Sequence, residues 1–430
     1  MSLRTTRQGL AIAAIAAFGL TACSGGGGGN SAAAVSSFSV LTNVENEAVP
    51  GTLKELSTGA CKAENDALPL TIETVPQNNL DQQLQLLAGQ NGLPVMFAAG
   101  GAPALTKTLA DAGHVADFAK VLPELGVEDS VLPAAKSTIE SLYGGFRVLP
   151  TEYNIEGIWY NKKLFQDNGI AVPKTWNDLQ AAAQTLGSKG VTPFSASGEQ
   201  GWPLTRLIGN YIFRELGPEA MKKVADGEAK LTDPEYVKAA AAVADLGAKG
   251  YFGRGVGSID YDTSINEFLN GRAGMLYMGS WVLSNFASES NKIGAENIGF
   301  MPFPDVEGGA GNSTQLAANV GLPFTLSAKA LEDEKVKAWT KCLVQNYGSV
   351  ALKTQNRISG FALKDTVKVD ELTTGVQKKI SDTKDTVLWL EALFGSEPLT
   401  TATTNAAPLV TGSTTPEEYM KLIQADLDQK

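Results

Sequence analysis

Residues 36–101 alternate in a way that few folds accommodate. "SSFSVLTNV" (36–44) reads as a strand and "PGTLKELSTGA" (50–60) as a helix, and "LPLTIETVP" (68–76) is a second strand with period-two alternation. "NNLDQQLQLLAGQ" (78–90) sets Leu80, Leu84 and Leu87 at helical spacing. "LPVMFAAGG" (93–101) then supplies a short, wholly apolar strand of the kind a parallel sheet buries on both faces. Strand, helix, strand, helix, strand predicts an α/β fold.

The pattern breaks at "RVLPTEYNIEGIWYNKKLF" (147–165), where an extended segment with Pro150 crosses into a new strand, "EGIWYN". In "VPKTWNDLQAAAQTLGSKG" (172–190) Thr175 can cap an amphipathic helix that ends at Gly187–Gly190. Further helices are expected near 202–216, 218–226 and 233–249. "INEFLNGRAGMLYMGSWVLSNF" (265–286) reads as helix, turn, strand and helix. The proline-punctuated "ENIGFMPFPD" (296–305) reads as a second crossing and "ISGFALKDT" (358–366) as a third, with the strand "VGLPFTLSA" (320–328) and a helix over 331–347 between them. Repeated crossings between two α/β lobes imply a hinged pair around a crevice, with ligand groups at strand C-terminal ends and helix N-termini.

The N-terminus is of another character. Arg4 and Arg7 precede "GLAIAAIAAFGL" (9–20), too short for a membrane span and suited to a secretory signal. Leu20-Thr21-Ala22-Cys23 fits a bacterial lipobox, in which Cys23 is lipidated, and Gly25–Gly29 with "NSAAAVSS" forms a tether that cannot bury apolar surface. The expectation is an exported, lipid-anchored domain.

About 395 residues remain beyond the tether, too many for one ordinary core, so two domains are expected. A net charge of −11 argues against nucleic acid and against docking on an anionic membrane; attachment would rest on the lipid alone. Cys61 and Cys342 are an even pair in an oxidising compartment and can form a disulfide, although Cys342 lies on a helical stretch and could equally be a buried thiol. The single histidine, His114, lies on a helical stretch, and no zinc-site spacing accompanies it. Nucleophile-elbow, Walker-type and dinucleotide motifs are absent from the sequence, so no metal, cofactor or catalytic residue is expected.

"LPTEYNIEGIWYNKKLFQDNGIAVPKTWNDL", "INEFLNGRAGMLYMGSWVLSNF", "IGFMPFPD" and "TPEEYMKLIQADL" together resemble the extracellular solute-binding proteins of carbohydrate ABC importers, the maltodextrin-binding-protein class. The resemblance covers essentially the whole chain. It implies a two-lobed periplasmic-binding-protein-like α/β fold with hinge crossings and a central ligand cleft. The expected division is a signal peptide over 1–22 and a lipidated tether over 23–35. The N-terminal lobe takes 36–149 with 303–360, and the C-terminal lobe 150–302 with 361–430. The implied function is capture of an oligosaccharide by a monomer on the outer face of the cell membrane, for delivery to ABC permease subunits.

Sugars present flat C–H faces ringed by hydroxyls, so their sites combine aromatic plates with polar hydrogen-bonding groups. Of six tryptophans, Trp159, Trp339 and Trp176 read as structural. Trp281, where a strand turns into a helix, matches the sugar-stacking tryptophan of maltodextrin binders. Trp202, at a loop-to-helix junction, and Trp389, after the third crossing, are further plates. Polar candidates are Asn43, Glu45 and Asn46 after the first strand, Glu152 and Asn154 on the first crossing, and Glu199 and Gln200 beside Trp202; Asp81 and Gln82 are either caps or contacts. "FAAGGAPAL" (97–105) lacks the Trp and Asp-Arg pair that maltodextrin binders carry there. This departure, and the crossing segment's likeness to actinobacterial xylobiose binders, favours a short β-linked ligand. Two rival expectations are a peptide or amino-acid binder, which needs fixed charges, and a secreted glycoside hydrolase, for which Glu152 and Glu199 could be drawn as the carboxylate pair.

Overall fold

The computed structural model describes residues 35–99, 103–383 and 386–429. The signal peptide, Cys23 and the glycine tether lie outside the described residues.

β1 (Phe38–Asn43) pairs in parallel with β2 (Leu70–Val75) on one side and β3 (Met96–Ala98) on the other. The helices Ala48–Thr58 and Gln77–Gly89 follow β1 and β2, as the alternation predicts. β3 is buried throughout because β9 (Phe324–Leu326) closes its other edge in antiparallel register, giving the order β2-β1-β3-β9. Around this sheet lies one apolar core, in which Trp339 stacks on Phe38 with ring centroids 4.8 Å apart.

The second sheet is built on β4 (Asn154–Asn161). One edge of β4 pairs antiparallel with β6 (Ala273–Gly279), which in turn pairs in parallel with β5 (Thr192–Ser195). Its other edge is shared in tandem by β8 (Leu316–Asn319) and β7 (Ile298–Met301), with β10 (Thr386–Val387) parallel to β8. Two further cores cover the faces of this sheet. The structure corrects the expected crossing at 296–305. Ile298–Met301 is a strand of the larger sheet, and its prolines, Pro302 and Pro304, simply follow the strand end. The chain returns to the first sheet later, between β8 and β9.

Three segments therefore pass between the sheets, and they lie against one another. Gly360 donates its N–H to Pro150 O (2.9 Å), and Tyr153 donates to Ile358 O (3.0 Å). Gly321, between β8 and β9, has φ +64°, and a Cβ there would stand 2.3 Å from Glu152 Oε2, so only glycine fits. Cys61 and Cys342 are bonded to each other, Cα atoms 5.8 Å apart, tying the start of the helix Lys62–Ala67 to the helix Glu334–Gln355. Among the described residues no helix is long and apolar enough to cross a membrane.

Candidate functional site

The C-terminal ends of strands from both sheets face one cleft of about 440 Å³, a volume typical of small-ligand sites. From the first sheet, the turn after β1 brings Asn43, Glu45 and Asn46, and the helix after β2 brings Gln77, Asn78 and Asp81. From the second sheet, the loop after β5 supplies Glu199, Gln200 and Trp202, the end of β6 supplies Trp281, and the segment after β10 supplies Trp389 and Glu391. The crossings contribute Glu152, Gly321 and Arg357.

Local chemistry positions the aromatic plates. Gly201 has φ +72°, and a Cβ on it would sit 1.9 Å from Thr403 O; this turn launches the helix Trp202–Leu216 with its first side chain in the cleft. Trp281 follows Gly279, where a Cβ would strike the indole at 2.0 Å, so the ring lies back over the strand end. Trp202 and Trp281 meet edge to face at 5.7 Å, and Tyr261 completes the group at 6.2 Å from Trp202. One helical turn beyond Trp202, the Arg206 guanidinium lies 5.5 Å from the Trp202 ring and 5.0 Å from that of Trp389, within cation–π range of both.

Buried acids hold that arginine. Glu156 and Glu391, on side chains 0% and 1% exposed, both ion-pair with Arg206, the Glu391 Oε2 to Arg206 Nε distance being 3.4 Å. Glu156 also accepts from Asn319 and from the Tyr277 hydroxyl (2.9 Å), and Glu391 accepts from the Thr205 hydroxyl. Burial disfavours the charge on Arg206, but the two carboxylates more than offset it and raise its pKa. Glu391 moves the other way for a carboxyl: burial pushes its pKa up, and Arg206 and Thr205 only partly counter it. Arg206 Nε and Glu391 Oε2 face each other without hydrogen-bond geometry, and neither atom has another hydrogen-bond partner. On the crossings, Arg357 pairs with Glu152 Oε1 at 3.4 Å, leaving Arg357 Nε buried and unpartnered.

Ten of the eleven expected ligand residues line this cleft: Trp281, Trp202, Trp389, Glu152, Asn43, Glu45, Asn46, Glu199, Gln200 and Asp81. Asn154 does not. It is 1% exposed and lies behind Glu152, donating to Glu152 Oε2 (3.1 Å) and accepting from the Ser280 hydroxyl (3.1 Å). It begins β4, and the strand carries its side chain into the sheet's packing, where it orients a cleft carboxylate. Trp159 and Trp339 are fully buried and donate to Met278 O and Leu68 O, while Trp176 packs on Tyr211 and Phe303. Sequence reading missed Arg206, Arg357, Tyr261 and Glu391. The i, i+4 spacing of Trp202 and Arg206 was a usable signal, since it puts both on one helix face.

Residues 48–346 match the model of the bacterial extracellular solute-binding protein family. The chain spans about a third to two thirds of the length of the curated relatives it matches. Among them is a multiple sugar-binding protein of Streptococcus mutans, 26% identical over 43% of this chain and 44% of the relative. A chitin oligosaccharide binding protein superposes with a TM-score of 0.80 at 26% identity, covering 91% of this chain and 98% of the other. A structure from work on xylan utilisation by Caldanaerobius polysaccharolyticus gives 0.80 at 24%, covering 90% and 99%. With a two-lobed α/β architecture, a cleft at the strand ends and a family match over most of its length, the chain belongs to the bacterial extracellular solute-binding protein family.

Proposed function

We propose that this chain is the capture component of a carbohydrate ABC importer, a monomer held on the outer face of the cell membrane through lipid on Cys23. The observation that carries the sugar reading is the cleft itself. Three indoles and a tyrosine surround an arginine–glutamate pair, offering faces for sugar C–H groups and polar edges for hydroxyls. Trp281, Trp202 and Trp389 are the proposed plates, with Glu152, Asn43, Glu45, Asn46, Asp81, Glu199 and Gln200 as hydrogen-bonding partners. Asn154 acts by orienting Glu152. The relatives named for xylan and chitin oligosaccharides support a short β-linked oligosaccharide as the ligand, xylobiose among the candidates. The proposed lobes divide near residues 150, 320 and 360, where the three crossings meet, and close around the ligand by bending there. Release to the permease follows reopening.

A binding role fits the carboxylates better than hydrolysis. Glu152 is 5% exposed and held by Arg357 and Asn154, which fixes it as an acceptor on the crossings instead of leaving it free to hand a proton to a leaving group. The test is a thermal-shift screen of residues 36–430 against xylo-, malto-, galacto-, manno- and chito-oligosaccharides, with amino acids and peptides as controls. A sugar at 100 times its Kd adds about 2.7 kcal/mol of stability. Stabilisation by a sugar, lost in Trp281→Ala and without release of monosaccharide, supports the reading. A response to peptides alone would refute it.

A further inference from the structure

The two orphaned atoms between Trp202 and Trp389 name part of the ligand. Arg206 Nε is a buried donor and Glu391 Oε2 a buried acceptor; they stand 3.4 Å apart on the cleft wall, and neither has a hydrogen-bond partner. Buried polar groups are almost always satisfied, so a donor and an acceptor left side by side without hydrogen bonds on a cleft wall suit a group that is both acceptor and donor. A hydroxyl is such a group: its oxygen accepts from Arg206 Nε and its proton goes to Glu391 Oε2.

The same geometry bears on charge. Both arginines of the cleft are already paired with acids, Arg206 with Glu156 and Glu391, and Arg357 with Glu152. Among the described residues no lysine lines the cleft, while Glu45, Asp81 and Glu199 also face it. An anionic ligand group placed at the Arg206–Glu391 pair would find no proton to give and would meet two carboxylates for one guanidinium. We infer that the Arg206–Glu391 pair is an anchor for an uncharged sugar hydroxyl and makes the site discriminate against acidic sugars. This inference rests on the carbohydrate reading above.

The test is calorimetric titration of the full chain with xylobiose, chitobiose and cellobiose, followed by the matched pair glucosyl-xylose and glucuronosyl-xylose, which differ only in CH2OH against carboxylate. The wild type is expected to prefer the neutral member by at least about 30-fold. Glu391→Gln keeps an acceptor for Thr205 but turns the orphan acceptor into a donor, and it should weaken neutral sugars about tenfold or more. Removing one negative charge should also narrow the neutral-to-acidic ratio several-fold, which a merely structural role would not do. Arg206→Lys, which keeps the charge without the fixed fork, should weaken both members while leaving the ratio in place. Equal binding of the two sugars, or an unchanged ratio in Glu391→Gln, would overturn the inference while the carbohydrate reading stood. Heat from none of the sugars would instead remove the carbohydrate reading, and this inference with it.

Discussion

Replacing both Cys61 and Cys342 by alanine should cost this protein more than any single core truncation. The bridge closes a segment with a sequence separation of 281 residues, because the chain leaves the first lobe, builds the second and returns before reaching Cys342. Chain-entropy arithmetic for a loop of that length gives about 19 cal/mol/K, or roughly 5.7 kcal/mol at 25 °C. Alanine at two sites 0% and 8% exposed removes little apolar volume, so the loop term dominates the loss. Unfolding entropy near 60 °C is about 2.1 cal/mol/K per residue, roughly 0.8 kcal/mol/K for a chain of about 395 residues. If the whole chain melts as one unit, Tm should fall by about 7 °C; if the first lobe melts alone, with half the residues, by about 14 °C. Scanning calorimetry with and without the bridge reads both the shift and the number of transitions. Sugar affinity should be unchanged, since neither cysteine lines the cleft. A shift under about 2 °C would show that the unfolded chain gains little freedom from losing the bridge, and would refute the argument.

Gly321→Ala puts a non-glycine residue at φ +64° with its Cβ against Glu152; it should destabilise by about 2 kcal/mol in urea titration and weaken ligand binding through the displaced carboxylate. The Glu391 carboxyl, raised above its ordinary 4.5 by burial and only partly countered by Arg206, should protonate in the folded protein before it does in the unfolded chain. Its stability contribution is therefore fully present below the unfolded value and lost as pH rises through the folded one. Acidification into that window should raise Tm while lowering sugar affinity, and Glu391→Gln should flatten the affinity profile. Asp370 shows the opposite sign. Burial would raise it, but the Thr373 backbone N–H and hydroxyl bonded to it hold it lower, so its capping of the helix Glu371–Asp382 is present above 3.8 and lost as pH falls through the folded value. Asp370→Ala should cost about 1 kcal/mol in the same titration at neutral pH. Cys23→Ala should release the protein from cells into the medium with sugar affinity intact; retention on the membrane would end the lipid-anchor reading.

The parts of the site that were legible in the sequence are those whose position follows from local grammar. Trp281 and Trp202 each open a helix after a strand, and in an α/β fold that junction lies at the crevice whatever the rest of the chain does. Asn43, Glu45 and Asn46 follow a strand for the same reason. Asn154 failed because its neighbours mislead. It sits two residues from Glu152, yet it begins β4, all but one of whose residues are buried, so no alternation of polar and apolar positions marks which side chains point outward. Glu156 was hidden in the same way, a charged residue in a buried strand whose partners arrive from 50 and 163 residues away. Arg206 was within reach through its helical spacing from Trp202, but Glu391 could be named only once β10 had brought residues 389–391 beside the helix Trp202–Leu216, and a two-residue strand leaves no periodic trace.

Why the cleft residues should also govern the hinge follows from where Glu152 sits. It lies on the first crossing, is paired with Arg357 on the third, and leaves no room for a Cβ at Gly321 on the second. The three crossings, which bend together in the proposed closure, thus share one carboxylate, itself oriented by Asn154 from the sheet below. Charge-assisted contacts of this kind are strongly directional, so any rotation of one crossing against another changes the Glu152–Arg357 geometry directly. A ligand that hydrogen-bonds Glu152, or satisfies the buried Arg357 Nε, therefore interacts differently with the open and closed arrangements, which is the condition for shifting the population between them. In the proposed mode of binding the plates supply affinity in either arrangement, and it is the contact at the crossings that makes the affinity depend on closure.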